Sequence, residues 1–313
     1  MKFKKPKFWD LKKNSFFSYL LLPFTFPLII NNFFLTIKKK NILHLKIKKI
    51  CIGNIYVGGT GKTPLVIKIY KILNQLNLKT VIIKKFYKDH IDEQKILDRD
   101  TKLYCLKDRE TALNMAIRDN NDIVIFDDGL QDRSINYDLK FVCFNNIKWI
   151  GNGHLIPAGP LREKINSISK YDAVFINGNE ADNTNLKISI NRYNNNIKIF
   201  ESYYFPINMH EFDTTKEYII FSGIGNPEIF KETLLNNKFN ILKEVIFPDH
   251  YNYTQADINK IKLTAKKLNA KIMTTEKDFV KINSHKNEDI KFLKIELRIK
   301  NEEELIEYLK LNI

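Results

Sequence analysis

The residues best suited to chemistry lie in a glycine-rich segment that follows a short apolar run. Residues 53–64 read Gly-Asn-Ile-Tyr-Val-Gly-Gly-Thr-Gly-Lys-Thr-Pro. Glycines let backbone N–H groups approach phosphate oxygens, and a following helix adds positive potential at its N-terminus. Lys62 can reach the β- and γ-phosphates of ATP or GTP, and the hydroxyl of Thr63 can ligate Mg²⁺. The residues expected to surround the phosphates are Gly58, Gly59, Thr60, Gly61, Lys62 and Thr63.

This segment departs from the usual phosphate-loop pattern at one position. The first glycine of that pattern falls at Tyr56. The competing interpretation is a glycine-rich turn that carries an incidental lysine. The order of an apolar run, a loop and a helical pattern favours the phosphate loop.

A pair of acids is placed to serve the same site. Asp127 and Asp128 end the apolar run 122–126, and ligands of open α/β sheets gather at the carboxyl ends of strands. A carboxylate there can hold the Mg²⁺ that bridges the phosphates. The alternative is a solvated turn, which the neighbouring phosphate loop makes less favourable.

A second irregular segment carries a basic and an acidic side chain. Residues 151–163 read Gly-Asn-Gly-His-Leu-Ile-Pro-Ala-Gly-Pro-Leu-Arg-Glu. The guanidinium of Arg162 could clamp a phosphate, because its planar fork matches oxyanion geometry. Glu163 could ligate magnesium directly or support a ligand. The alternative is a structural turn with a surface ion pair.

The elements that must position these residues alternate between strands and helices. Apolar runs near 50–52, 80–83, 122–126, 139–144 and 173–176 predict a parallel sheet with helices on both faces. A second α/β unit is expected from Tyr218. The predicted fold is α/β: a P-loop NTPase-like parallel sheet core, a second, smaller α/β domain and an N-terminal membrane-associated segment. The expected boundaries are 1–40 for that segment, 41–184 for the ATP-binding domain, 185–214 for a linker, irregular or a β-ribbon, and 215–313 for the second domain, whose last helix could pack on the first.

The N-terminus is strongly apolar between residues 16 and 37, with lysines at 12, 13 and 38–40. Its length would just span a bilayer, but Pro23, Pro27 and the Asn31–Asn32 pair disfavour a spanning helix. We expect a segment that lies in the membrane interface. A tilted spanning helix and a buried pair of amphipathic helices are the alternatives.

Composition excludes several classes of protein. The 313-residue chain is 44% apolar and 28% charged, which is typical of a globular protein and excludes a disordered one. Its net charge of +15 favours anionic partners, but the lysines are scattered, so we expect no nucleic-acid binding. Only three cysteines occur, without paired spacing, which excludes a disulfide framework and a simple zinc site.

Six segments, taken together, resemble the tetraacyldisaccharide 4'-kinase family of lipid A biosynthesis. They are residues 52–64, 127–132, 151–163, 223–227, 247–250 and 274–278, which match the family's motifs in the same order. The family's phosphate loop also lacks the first glycine. Two departures stand out: the family's Gln-His is Gln131–Asp132 here, and its Ser-Arg-Gly-Tyr-Gly segment is replaced around residues 83–87 by Ile-Lys-Lys-Phe-Tyr.

The resemblance implies an enzyme that transfers the γ-phosphate of ATP, with Mg²⁺, to the 4'-hydroxyl of a lipid-linked glucosamine disaccharide 1-phosphate, giving lipid IVA. It implies that Asp92 is the catalytic base and that His250, brought from across a cleft by the second unit, supports it. Lys62 and Arg162 would neutralise charge. The implied metal ligands are Thr63, Asp127, Asp128 and Glu163, and Gln131 is a further site candidate.

The resemblance also implies a location at the cytoplasmic face of the bacterial inner membrane, bound peripherally or monotopically. We expect a membrane surface as a partner and no obligate protein partner. A membrane-associated P-loop ATPase or GTPase that acts as a switch is the alternative from another class. A switch would respond to a protein or nucleic acid, whereas a kinase would depend on a lipid acceptor.

Overall fold

The computed structural model describes residues 5–11, 15–37, 47–132, 134–282 and 287–313. The strands are β1 (Lys48–Gly53), β2 (Thr80–Lys85), β3 (Leu103–Leu106), β4 (Ile123–Asp127), β5 (Leu139–Asn145), β6 (Ala173–Gly178), β7 (Lys198–Pro206), β8 (Glu217–Ser222), β9 (Asn240–Ile246), β10 (Lys271–Thr275), β11 (Ile290–Leu293) and β12 (Ile295–Ile299). The helices are α1 (Phe16–Leu21), α2 (Phe26–Ile37), α3 (Lys62–Gln75), α4 (Ile91–Asp100), α5 (Arg109–Arg118), α6 (Thr184–Asn191), α7 (Pro227–Asn236), α8 (Gln255–Lys267), α9 (Glu276–Phe279) and α10 (Glu302–Asn312).

The chain forms two compact units. The first, unit 1, comprises residues 1–86, 100–203 and 299–313; the second, unit 2, comprises 87–99 and 204–298. The main sheet has the order β12-β7-β6-β5-β1-β4-β2-β3, and every pair from β3 to β7 is parallel. Its central strands have apolar middles because both faces are covered, as β1 illustrates: Ile50, Cys51 and Ile52 are at most 1% exposed.

Unit 2 contains a four-stranded sheet of order β11-β10-β8-β9, in which all pairs are parallel. Apolar clusters cover both faces: Ile219 and Phe221 belong to one, and Tyr218 and Ile220 to the other. Since successive residues of a strand point to opposite faces, β8 is the centre of this core. The expected parallel α/β fold is confirmed in both units.

Two segments differ from the organisation expected from the sequence. Residues 87–99 belong to unit 2, because α4 is attached there by Lys95 Nζ–Val280 O (3.4 Å) and Arg99–Glu276 (2.9 Å). The stretch 185–214 is not an irregular linker or a β-ribbon. It contains most of α6 and all of β7, which pairs with β6 in the main sheet.

The N-terminal segment forms two short helices instead of one long one. Pro23 and Pro27 each lie in the first turn of a helical element, where a missing N–H is tolerated, so each marks a new start. Within the described residues, no helix is both long and apolar enough to cross a membrane. The flanking lysines at 12, 13 and 38–40 lie outside the described residues.

Candidate functional site

The glycine-rich segment of unit 1 follows β1 and begins α3. Gly58 (φ +129°) and Gly61 (φ +80°) have backbone conformations that favour glycine, and Gly61 is the N-cap of α3. Two hydrogen bonds fix the loop at Thr60: Asn54 Nδ2 donates to Thr60 Oγ1 (3.0 Å), and Asn177 Nδ2 donates to the Thr60 carbonyl (2.7 Å). Lys62 and Thr63 therefore start a helix directly behind a fixed, glycine-bearing turn, which is a geometry suited to phosphate.

Tyr56 occupies the position of the missing glycine for a structural reason. Its side chain is 1% exposed and packs with Leu155 and Leu161. Its hydroxyl accepts a hydrogen bond from Lys5 and donates one to Asp10. The adjacent backbone bonds the second irregular segment: Val57 N donates to Pro160 O (2.9 Å). The aromatic side chain thus ties the phosphate loop to residues 151–163.

Asp127 ends β4 as a deeply buried carboxylate. Its Oδ2 forms an ion pair with Lys84, which is 4% exposed and lies opposite it in the register of β2 and β4. Its Oδ1 is buried and has no hydrogen-bond partner among the described residues. Sequence reasoning missed Lys84; a lysine that ends the apolar run of β2 was the available signal. The arrangement leaves one carboxylate oxygen at the strand end for a ligand.

Asp128 stands next to Asp127 in a left-handed conformation (φ +57°). Arg162 donates to its two oxygens at 3.0 and 3.3 Å, and Lys62 Nζ lies 3.9 Å from Oδ1. Burial alone would raise the pKa of Asp128, but the charges of Lys62, Arg162 and Lys84 outweigh it and lower that pKa to about 2. Asp128 is therefore ionised at neutral pH and holds both cations near the loop.

Gln131 and Glu163 form the other side of this network. Gln131 Nε2 donates to Glu163 Oε1 (2.8 Å), and Gln131 Oε1 accepts from Arg162 (3.2 Å). Tyr171 OH donates to the same glutamate oxygen at 3.2 Å. The structure thus brings Lys62, Asp128, Gln131, Arg162 and Glu163 into one connected polar cluster in unit 1.

Arg109 underlies this cluster and was not found from the sequence. It is 6% exposed, donates to the backbone carbonyl of Asp128 (2.8 Å) and pairs with Asp132 at 2.8 Å. Asp132 also accepts from the backbone and hydroxyl of Ser134. The position that departs from the family pattern therefore carries a charge matched to Arg109, and the pair supports the turn at Asp128.

Asp92 and His250 lie together in unit 2. Asp92 is 2% exposed in the first turn of α4, and both its oxygens lie 3.1 Å from His250 Nδ1. His90 stacks on the ring of His250 with centroids 4.2 Å apart. The expectation that the second unit brings His250 to Asp92 from across a cleft is corrected, because both residues belong to unit 2.

Two lysines surround this carboxylate. Lys281 Nζ lies 3.4 Å and Lys277 Nζ 3.9 Å from Asp92 Oδ2, and Lys277 also contacts Glu93 and Asp249. Burial alone would raise the pKa of Asp92, but the His250 hydrogen bond and the two lysines outweigh it and lower that pKa to about 2. Asp92 is thus an ionised acceptor whose partner imidazole can orient it and share a proton.

The sequence-derived metal ligands are only partly brought together. Thr63 lies in the first turn of α3, Asp127 keeps a free oxygen, and Glu163 contacts Gln131. No group of three or more histidine, cysteine, aspartate or glutamate side chains that could hold a metal ion occurs in the described part of the chain. A site with one or two protein carboxylates remains, and such a site suits Mg²⁺ that is shared with phosphates.

The fold and the loop define the class of this protein: an α/β enzyme with a P-loop-type nucleotide site. The profile of the family described as tetraacyldisaccharide-1-P 4'-kinase (LpxK) matches residues 19–313. A tetraacyldisaccharide 4'-kinase from Pelagibacter ubique (strain HTCC1062) is 50% identical over 314 residues, covering 100% of this chain and 99% of the relative. One from Rickettsia bellii (strain OSU 85-389) is 35% identical, covering 95% and 94%.

A solved structure shares the fold. The crystal structure of LpxK from Aquifex aeolicus in complex with ATP superposes with a TM-score of 0.68 at 22% identity, covering 94% of this chain and 98% of that one. The chain therefore belongs to the tetraacyldisaccharide-1-P 4'-kinase family, and it is an ATP-binding kinase of lipid A biosynthesis.

Proposed function

We propose that this chain transfers the γ-phosphate of ATP to the 4'-hydroxyl of a tetraacyldisaccharide 1-phosphate, giving lipid IVA, with Asp92 as the proton acceptor. The observation that carries the residue assignment is the contact of Asp92 with His250 Nδ1 at 3.1 Å. A sugar hydroxyl is a poor nucleophile, so a buried, oriented carboxylate in a kinase of this family is suited to receive its proton.

Unit 1 binds and positions ATP in this proposal. The loop from Gly58 to Thr63 surrounds the phosphates, with Lys62 on the β- and γ-phosphates. Arg162, held by Asp128 at 3.0 Å, stabilises the charge that develops on the transferred group. Most of the rate enhancement comes from this positioning and charge neutralisation, because phosphoryl transfer requires little covalent chemistry from the protein.

The residues present fit a magnesium ion. Asp127 Oδ1 is buried without a partner among the described residues, and we assign Thr63, Asp127 and Glu163 to hold the ion. When bound there, Mg²⁺ would offset the negative charge of the phosphates. Asp128 belongs to this set by its position, but both its oxygens face Arg162, so we assign it chiefly to orienting that guanidinium.

The proton step follows from the low pKa of Asp92. The acceptor oxygen bonds to the γ-phosphorus, the bond from that phosphorus to the bridging oxygen breaks, and the hydroxyl proton passes to Asp92. A carboxylate with a pKa of about 2 is a weak base, so it takes the proton only as the new P–O bond forms. His250 orients the carboxylate and can share that proton.

We further propose that the N-terminal helices rest on the membrane, at its cytoplasmic face. Two polar side chains of this segment, Ser18 and Thr25, point inward: Ser18 is fully buried and accepts from Asn152 Nδ2 (3.0 Å). The aromatic side chains between residues 16 and 26 point outward, with Phe16, Phe24 and Phe26 exposed by 76%, 65% and 63%. A helix that packs on a protein core has its apolar side chains inside and its polar side chains outside, which is the reverse of this arrangement. The arrangement fits a helix that inserts apolar side chains into the membrane interface.

The direct test is transfer of radiolabelled γ-phosphate from ATP to the purified disaccharide 1-phosphate lipid in mixed micelles with Mg²⁺. The wild-type chain is expected to form labelled lipid IVA, and Lys62→Ala to form none, because the phosphate charge loses its main counterion. Lys68→Ala in the same helix is the matched control; its ammonium pairs with Glu302 at 2.7 Å, and its activity should stay near wild type. Lipid-independent ATP hydrolysis without transfer would refute the proposed function.

A further inference from the structure

The loop between β8 and α7 contains an asparagine whose side chain is buried but unpaired. Residues 223–227 read Gly-Ile-Gly-Asn-Pro, and Asn226 is 6% exposed. Neither its Oδ1 nor its Nδ2 has a hydrogen-bond partner among the described residues. A buried amide of this kind is unfavourable in a folded protein unless another molecule satisfies it.

Helix capping does not account for this side chain. Asn226 is the N-cap of α7, a position where asparagine ordinarily accepts a hydrogen bond from the first turn. Here no such side-chain bond is made. The amide is therefore left available at the start of a ten-residue helix.

The loop adjoins the Asp92–His250 pair within unit 2. The Gly223 carbonyl accepts from the backbone N–H of His250 (3.1 Å), and the Gly223 N–H donates to Asp278 Oδ2 (2.9 Å). Lys281 links Asp278 at 2.8 Å to Asp92 at 3.4 Å. Asn226 thus follows the carboxyl end of a central strand, where α/β sheets bind ligands, in a loop whose Gly223 contacts the partner of the carboxylate to which the acceptor hydroxyl is assigned.

The chemistry of an amide restricts what it can recognise. Its nitrogen donates and its oxygen accepts, and the group carries no charge. It therefore matches a hydroxyl, which also donates and accepts, better than a phosphate, which needs donors or cations. We propose that Asn226 binds a free hydroxyl of the acceptor sugar next to the one that is phosphorylated, and so determines acceptor specificity. This inference rests on the proposed function, which supplies the sugar.

The test uses Asn226→Leu, which keeps a similar volume but removes the amide. At saturating ATP we expect the KM for the acceptor lipid to rise about tenfold, the effect of one hydrogen bond to a group left unpaired, while the KM for ATP stays unchanged. The ligand-free variant should unfold at the wild-type temperature or above, because the substitution removes an unsatisfied group. A deoxy acceptor that lacks the neighbouring free hydroxyl should have the same KM for both proteins.

Asn208→Leu is the matched control. Asn208 is also 6% exposed in unit 2, but its Nδ2 donates to Phe292 O (3.1 Å) and its Oδ1 accepts from Lys294 N (2.8 Å). This variant should unfold at a lower temperature with an unchanged KM for the acceptor. The opposite balance of stability and KM in the two variants distinguishes a ligand-binding amide from a structural one.

Three outcomes would overturn the proposal. An unchanged acceptor KM in Asn226→Leu, with active wild-type protein, would remove Asn226 from acceptor binding. If Asn226→Leu raises the KM for ATP but not the KM for 2'-deoxy-ATP, the hydroxyl that Asn226 binds lies on the ribose of ATP and not on the acceptor sugar. No transfer by the wild-type protein would overturn the proposed function itself, and this inference with it.

Discussion

Replacing Asp92 by asparagine tests the unit 2 site most directly. The substitution keeps the shape of the side chain and its place beside His250, but it removes the charge and the ability to take a proton. Loss of a general base ordinarily lowers turnover by about 10²- to 10⁴-fold. We expect kcat to fall within that range and the KM for ATP to change less than about threefold, because the residues that we assign to the nucleotide lie in unit 1.

The effect of Asp92→Asn on the free energy of unfolding follows from the pKa of Asp92. The surroundings lower the pKa of Asp92 from 3.8 to about 2, which corresponds to about 2 kcal/mol in favour of the ionised form. A depressed pKa in the folded state adds stability above the unfolded-state pKa, and this stability is lost as the pH falls through the folded-state pKa. The free energy of unfolding of Asp92→Asn should therefore be about 2 kcal/mol lower than that of the wild type at neutral pH. This difference should shrink between about pH 4 and pH 2.

The assay combines steady-state transfer kinetics with urea unfolding across this pH range. Glu93→Gln is the matched control, because Glu93 also faces Lys277, at 3.2 Å, and His250 Nε2, at 3.6 Å. It removes one negative charge from the same cluster and should keep kcat within about fivefold of wild type. Turnover of Asp92→Asn near the wild-type value would refute the assignment of Asp92 as the base. Equal losses of kcat in Asp92→Asn and Glu93→Gln would mean that the effect comes from removing a negative charge near Lys277 and His250.

Two further predictions concern unit 1. Asp132→Asn removes the charge that faces the buried Arg109 at 2.8 Å, so we expect the free energy of unfolding to fall by about 1–3 kcal/mol. An unchanged melting temperature would mean that this pair does not support the turn at Asp128. The triple variant Phe16→Ser, Phe17→Ser and Phe24→Ser should sediment less with anionic liposomes than the wild-type protein and keep its melting temperature. Leu311→Ser, a control at a position that is 85% exposed, should bind the liposomes as the wild type does. Equal binding by all three proteins would refute the proposal that the N-terminal helices rest on the membrane.

The sequence predicted the parts of this molecule whose signals are local. Apolar runs such as residues 122–126 gave strands, since a strand buried on both faces needs them. The glycines and Lys62 gave the phosphate loop, because that loop requires particular backbone conformations. Fold, enzyme class and ATP binding were predicted correctly.

The parts that could not be predicted depend on contacts between distant segments. Arg109 reaches Asp132 and the Asp128 carbonyl across 23 and 19 residues, and nothing in its local pattern shows this. Residues 87–99 join unit 2 because of ion pairs such as Arg99–Glu276, which amphipathic periodicity does not specify. Asparagine-rich composition hid α6 and β7, since asparagine is common in loops.

Buried polar groups without partners connect stability to function in this fold. Asn54 Oδ1, Asp127 Oδ1 and the Asn226 amide lack partners among the described residues, and they follow or end β1, β4 and β8. Each costs the ligand-free protein about 1–3 kcal/mol, whereas the paired Asn177 and Asn208 cost nothing comparable. Since these three strand ends are where parallel sheets bind ligands, we attribute the cost to preorganisation: the groups are already dehydrated before substrate arrives. At Asn226, whose amide has no partner to lose among the described residues, a substitution that relieves this cost should stabilise the chain and weaken its activity together.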